Sequence, residues 1–305
     1  MGNCPLDLCE GTPMVVGNKK QLGWHLTFLA PGVLVFAFLV LTPIVESVIQ
    51  SFYSWNGISI SPMKFVGLDN YSVVFKDMKF WNSLVNVGWF MLGGFVVLMP
   101  LSFVLALIIN KEYRMKGFFK TTYFLPVVLP MTAVGLMWVY MLFPESGVVP
   151  IILKLFGIQA PNFLGDPDWA IFTIVLVNEW VYAGLNMLIF SAGIVSIPTE
   201  LYESAKIDGA NSWQQLSRIT IPMMNESFKI FSILCVTGCI KHFNLVFVMT
   251  GGGPAHASEM PTTLLYNEAF IYRNFGVGNA IGVFLLVSGV ILSLMTNKIF
   301  SRKED

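Results

Sequence analysis

Six apolar runs constrain this chain most, at about 26–53, 81–110, 123–143, 170–194, 228–249 and 277–300. A hydrocarbon core is crossed by roughly 20 apolar residues as a helix and by only about 10 as a strand. Each run has the helical length. No water inside lipid can satisfy backbone N–H and C=O groups, so a spanning segment must close its own hydrogen bonds. The expected fold is an all-α integral membrane protein with six transmembrane helices. Charged residues make up 12% of the chain, about half the roughly 25% of soluble domains, as an apolar outer surface requires. Pro100 falls inside the second run, and Pro126 and Pro130 open the third, so kinks are expected there.

Basic residues orient the runs. If the runs alternate, twelve of the eighteen Lys and Arg lie on the side holding both termini and five on the other, with Lys241 inside a run. The richer side is the cytoplasmic one. The expectation is a multi-pass protein of a bacterial cytoplasmic membrane, with both termini inside. Residues 1–24 read as a cytoplasmic segment and 25–305 as one transmembrane domain. Lys19 and Lys20 precede a run long enough to span, so this start reads as a retained anchor and not a cleaved signal. Gly2 does not suggest myristoylation, because Leu6 stands where Ser or Thr is needed. With 18 basic and 18 acidic residues, no long-range attraction for nucleic acid is expected. Cys4, Cys9, Cys235 and Cys239 show no zinc spacing. The last pair sits one turn apart in an apolar run, where free cysteine acts as a small hydrophobe.

One polar stretch, 199–222, breaks the apolar pattern between the fourth and fifth runs. Thr199 is placed to cap a helix that starts at Glu200, whose charge suits the positive end of the helix dipole. That helix is expected to stop near Asp208 and Gly209, glycine being the natural residue for a left-handed C-terminal position. Asn211 or Ser212 then caps a second short helix, 213–218, before Pro222 leads into the fifth run. The product is a bent, compact knob that passes motion on instead of absorbing it. Ser204 and Ala205 are small enough for close approach by a partner, and Glu203 can accept a charge-assisted bond from a partner arginine. An amphipathic helix lying on the inner leaflet accounts for the first helix, but not for the glycine and the Ile-x-Ile-Pro at fixed distances.

The order of motifs resembles the permease subunits of carbohydrate-uptake ABC importers. Glu203, Ala205, Gly209, Ile219 and Pro222 keep the Glu-Ala-Ala…Gly…Ile-x-Leu-Pro pattern of their cytoplasmic loop, with Ser204 and Ile221 as departures. Other stretches follow the same permeases: 41–43 and 51–55 in and after the first run, 65–71 and Phe80, Trp81 and Asn86 before and in the second. The likeness continues with 123–126 and Trp138, 160–167, 250–254, and Tyr266 with Ala269 and Phe270. The resemblance covers nearly everything from His25 onward. It implies a type I ABC importer permease fold with a cytoplasmic coupling helix, in which Glu203, Ser204, Ala205, Asp208, Gly209, Trp213, Ile219 and Pro222 meet the ATPase. It further implies a second homologous permease, two cytoplasmic ATPases that bind ATP and Mg, and an extracellular solute-binding protein that delivers a sugar. The chain itself has no G-x-x-x-x-G-K-[ST] run and is expected to bind no cofactor or metal and to hold no catalytic residue.

Polar groups within spans are the candidates for a solute path, since lipid tolerates them poorly. Glu179, Tyr182 and Asn186 recur on one helical face, as do Thr237, Lys241 and Asn244. Trp180 or Tyr182 offers an aromatic face for a sugar ring. The permeases often carry Asp where Asn244 stands. Two bland readings stay open: Glu179 and Lys241 neutralise each other between helices, or Tyr182 and Asn186 pack against the second permease. Glu46 and Gln50 are expected to snorkel to the outer interface, and His242 to be a structural donor. An alternative function is an ion-coupled carrier or channel relaying charge through Glu179, Lys241 and His242. A membrane enzyme finds no support in any His, Asp, Cys or Ser-Lys set.

Overall fold

The computed structural model of the chain describes residues 19–58, 60–111 and 114–301. Residues 1–18, where most of the expected cytoplasmic N-terminal segment falls, lie outside the described residues. The chain divides into two compact units, one ending at Ile49 and one beginning at Gln50. The first unit is one helix, with an α segment Lys19–Phe36 followed by a widened π turn, Ala37–Leu41, and a further α segment from Thr42. None of its most apolar window is buried.

Among the described residues, four helices are long and apolar enough to cross a membrane: Phe28–Gln50, Met78–Ile109, Pro167–Val195 and Phe275–Phe300. Two bent pairs bring the spans to six, Lys116–Val128 with Met131–Met141 and Ser212–Met223 with Asn225–Ile240. The third span is therefore a sharp break of 97°, not the kink its prolines suggested. Leu129 is extended (ψ 146°) and Pro130 caps the second helix, because the ring of a proline forces the residue before it out of the helical region. The fifth run also divides. Its main helix stops at Ile240, and a separate short helix, Asn244–Met249, follows a three-residue break.

Prolines explain three of the four π turns among the described residues; the fourth, Asn267–Ile271, has no proline following it. Three π turns, Ala37–Leu41, Gly94–Leu98 and Leu216–Thr220, each end two residues before a proline: Pro43, Pro100 and Pro222. A helical proline lacks its N–H and clashes with the carbonyl four residues back. That carbonyl belongs here to Leu39, Val96 and Arg218, each inside the widened turn. Spreading the turn moves the carbonyl aside without breaking the helix.

The fourth span is the hub of the second unit. Two thirds (67%) of its most apolar window is buried, against 17% in the sixth span. Lipid tails are as apolar as leucine, so packing and interhelical hydrogen bonds, more than the hydrophobic effect, hold spans together. Phe190 meets Phe103, Phe228 and Phe231 with ring centroids 5.9, 5.2 and 5.5 Å away. The Ser102 hydroxyl donates to the Ala183 carbonyl at 3.2 Å, and Ser191 to Asn110 Oδ1 at 2.9 Å.

Connecting loops are tied down by side chains. Tyr53–Ser54 pairs antiparallel with Lys64–Phe65, and Asn70 Nδ2 donates to the carbonyls of Ser51 and Tyr53 at 2.7 and 3.0 Å. Two stretches read separately in the sequence, 51–55 and 65–71, thus form one knot. Gln50 accepts from Asn279 Nδ2 at 3.0 Å, a packed contact in place of the expected snorkelling.

Candidate functional site

A cavity of about 210 Å³ opens among the second, fourth and fifth spans. Two of the expected faces behave differently toward it. Glu179, Tyr182 and Asn186 all line it, joined by Asn178 from the same helix and His242 from the end of the fifth span. Glu179 is 2% exposed. Its Oε1 faces Asn178 Nδ2 at 3.5 Å, whereas its Oε2, Asn178 Oδ1 and His242 Nε2 are buried without a hydrogen-bond partner among the described residues. Asn186 donates to the Tyr182 carbonyl one turn earlier, at 3.0 Å. The His242 ring lies 4.4 Å from that of Phe90, centroid to centroid.

Thr237, Lys241 and Asn244 do not line the cavity. Their common face existed only if one helix ran from 228 to 249, and the chain leaves the helix at Lys241. Lys241 and Asn244 are exposed, and Thr237 returns its hydroxyl to the Ile233 carbonyl at 2.7 Å. Glu179 and Lys241 form no ion pair among the described residues, so the neutralised-pair reading fails. Trp180 points away as well, 40% exposed and edge-on to Trp138 at 5.5 Å.

Sequence reasoning passed over Gly93 and Gly94. A Cβ on Gly93 would run into Val175 and come within 3.2 Å of Glu179 Oε1, and one on Gly94 would meet Cys235 Sγ. Bare backbone at this point lets the second span approach both neighbours. The signal was available as a small-residue pair inside a span, the usual mark of close helix approach.

The 199–222 stretch forms two short helices as expected, with differences at their ends. The first, Thr199–Ile207, is preceded by Pro198 with no side-chain cap, so Thr199 is the first helical residue and not the cap. It ends where predicted. Gly209 has φ +79°, its N–H bonds the Lys206 carbonyl at 3.1 Å, and the Ala210 N–H bonds the Ala205 carbonyl at 2.8 Å, the paired closure of a Schellman motif. Asn211 caps the second helix in a reciprocal box with Gln214, the two bonds measuring 2.9 and 2.8 Å. That helix runs past 218 through the π turn to Met223, and Pro222 lies inside it.

The knob has an inner and an outer side. Tyr202 and Ile219 pack on the cluster around Met187, Phe190 and Met224, and Tyr202 Oη lies 2.9 Å from Thr220 Oγ1, joining the two limbs. Glu203, Ser204, Asp208, Gly209 and Pro222 are exposed. Ile207 and Trp213, both apolar and both on the outer side, are 87% and 70% exposed. Ala205 is half-buried.

The family described as the inner membrane component of binding-protein-dependent transport systems matches residues 98–304. A probable ABC transporter permease protein of Bacillus subtilis (strain 168), YurN, is 35% identical over 91% of this chain and 96% of its own length. The lactose transport system permease protein LacF of Rhizobium radiobacter is 31% identical over 90% of this chain and 92% of its own. One chain in the crystal structure of a bacterial ABC transporter that imports alginate shares the fold, with a TM-score of 0.81 over 93% of this chain and 96% of that one at 24% identity. The chain therefore belongs to the inner membrane components of binding-protein-dependent transport systems, as a permease subunit of an ABC importer and not an enzyme.

Proposed function

We propose that this permease carries a saccharide across the cytoplasmic membrane, with both termini and the 199–222 knob on the cytoplasmic side. The twelve-to-five bias of basic residues supports that orientation, and the name of the lactose relative supports the substrate class. The observation that carries the reading is the two-sided knob. Its inner side is fastened to the fourth and fifth spans through Tyr202 and Ile219, and its outer side offers Ile207, Trp213 and Glu203 to a partner. A body fastened on its inner side, with two exposed apolar side chains and a carboxylate on its outer side, suits a socket on an ATPase.

In this reading two cytoplasmic ATPases bind ATP and Mg and close on each other. Their motion pushes the knobs of this chain and of a second permease together. Each knob moves the spans to which it is fastened, and the path between the permeases changes the side to which it opens. A solute-binding protein outside delivers the saccharide. Glu203, Ser204, Ala205, Asp208, Gly209, Trp213, Ile219 and Pro222 form or support the contact with the ATPase. Glu179, Tyr182 and Asn186 border the path. Trp180, Thr237, Lys241 and Asn244 are left out of it.

The test is isolation of the assembled transporter by a tag on this chain, together with its neighbouring permease, ATPases and binding protein. ATP hydrolysis should rise when the binding protein is loaded with its saccharide. A chain that purifies alone and moves solute in liposomes without ATP would establish the ion-coupled carrier instead.

A further inference from the structure

A short helix, Val148–Leu155, stands between the third and fourth spans, on the side of the membrane opposite the 199–222 knob. At roughly 1.5 Å per residue its eight residues cover about 12 Å, too little to cross a core of about 30 Å. Its inner side is engaged: Pro150 is buried, and Val149 packs on the core cluster that holds Leu142 and Ile171. Its outer side is apolar as well. Val148, Ile152, Leu155 and Phe156, at i, i+4, i+7 and i+8, are all exposed, the last two at 80% and 77%. A helix apolar on both sides belongs in a protein interior or against lipid, and this one lies at the surface. The adjoining spans are exposed and apolar where they meet the segment. Leu136, Tyr140 and Phe143 lead into it, and Trp169, Phe172 and Leu176 lead out of it. No charged residue interrupts either stretch, as a surface wetted by acyl chains requires.

Beside this helix opens a cleft of about 610 Å³, lined by Glu145, Lys154, Gln159 and Asn162 together with Ile151 and Ile158. That volume lies within the roughly 300–1,000 Å³ of ligand pockets. Glu145 and Lys154 are both exposed, so a molecule outside the protein reaches them. They carry opposite charges into one cleft, yet they form no ion pair among the described residues. Lys154, Gln159 and Asn162 have N–H donors suited to a phosphate, and the Glu145 carboxylate accepts from an ammonium. Glu145 is held at φ +63°, a backbone conformation that a residue other than glycine seldom takes. We propose that Val148–Leu155 is an interfacial anchor and that the cleft binds the headgroup of one phosphatidylethanolamine molecule. Lys154 takes the phosphate and Glu145 the ammonium. The acyl chains leave past Ile151 and Leu155, one turn apart, where the cleft meets the apolar stripe. In the orientation proposed above, this is the outer leaflet.

Two measurements on the assembled transporter test this. With a benzophenone amino acid placed at position 156, irradiation in membranes should give phospholipid adducts on this chain, read by mass. Adducts to the binding protein or to the second permease in their place would overturn the anchor. Native mass spectrometry then reads the headgroup. The complex is stripped in detergent and titrated with phosphatidylethanolamine or phosphatidylcholine of the same chains, and the cleft is the one lipid per copy of this chain that Lys154→Gln weakens. Phosphatidylethanolamine should bind there about tenfold more tightly, since a quaternary ammonium has no N–H to give Glu145. Glu145→Gln should narrow that gap to within about threefold, and Lys154→Gln should weaken both lipids about tenfold. Both side chains are exposed, so assembly should survive either change. Lys64→Gln, an exposed lysine elsewhere on the same side, should alter nothing. Equal affinity for the two lipids, or affinities unmoved by Glu145→Gln and Lys154→Gln, overturns the site. Lipid binding is read without ATP or saccharide, so a failure of the importer reading would leave this result standing, and the reverse.

Discussion

Two polar loops between apolar spans, 199–222 and 250–263, both carry motifs that resemble those of sugar permeases, and they use their polar residues in opposite ways. In 250–263 the side chains are consumed by the fold. Glu259 is 1% exposed, its carboxylate meeting the Thr263 hydroxyl at 2.6 Å and His256 Nδ1 at 2.8 Å. Thr250 and Ser258 share a hydrogen bond of 2.7 Å. Asn86, reaching from the second span, donates to the carbonyls of Ala257 and Glu259 at 2.8 and 2.9 Å. In 199–222 the hydrogen bonds are mostly those of caps and turns, and Glu203, Ile207, Asp208 and Trp213 face outward. Similar residue types therefore serve as internal mortar in one loop and as an offered surface in the other. Burial tells the two apart, and a motif does not.

The largest effect that would sharpen this contrast is expected from Glu259→Ala. Removing the buried carboxylate takes a partner from His256 and from Thr263, which keeps only its bonds to Met260, at a cost of about 1–3 kcal/mol. The melting temperature of the detergent-purified transporter should fall, and an unchanged value would break the comparison from the 250–263 side. Next comes Gly209→Val. A β-branched residue at φ +79° costs about 1–2 kcal/mol, confined to the turn between the knob's helices. Global stability should drop only slightly, while ATP hydrolysis and uptake, assayed together in liposomes, come apart. The smallest stability effect belongs to Glu203→Ala, within about 0.5 kcal/mol as for an exposed surface change. Its consequence should appear only as weaker capture of the ATPase on a tagged permease. Normal capture would return Glu203 to the solvated surface.

Much of the architecture was legible before the structure. Run length placed four of the six spans to within about three residues, because lipid thickness imposes it, whereas the two bent spans begin well before the expected 123 and 228. Gly209 and Asn211 announced the knob's turn and cap, since left-handed backbone and free N–H groups select those residue types. Two of the failures share one cause. Reading Thr237, Lys241 and Asn244 as one face assumes a continuous helix, and the break after Ile240 turned two of the three out of the packed interior. The same break brought His242, read as a structural donor, to the cavity. Asn178 was missed because it lies one residue before Glu179, outside a strict i, i+3, i+7 stripe. Thr199 was misread as a cap because Ser, Thr, Asp and Asn lead at such positions, whereas Pro198 already stops the chain from extending the preceding helix.

The widened turns ahead of Pro43, Pro100 and Pro222 also set a phase. One extra residue in a turn rotates everything after it by about 100° about the helix axis. Apolar stripes that look misaligned on a helical wheel drawn through Gly94–Leu98 come back into line once that slip is counted. Evolution can thus change the length of a permease span by one residue at such a point without turning its far end to the wrong neighbour. Elsewhere in the same span, an insertion or deletion of one residue would swing every later side chain out of place.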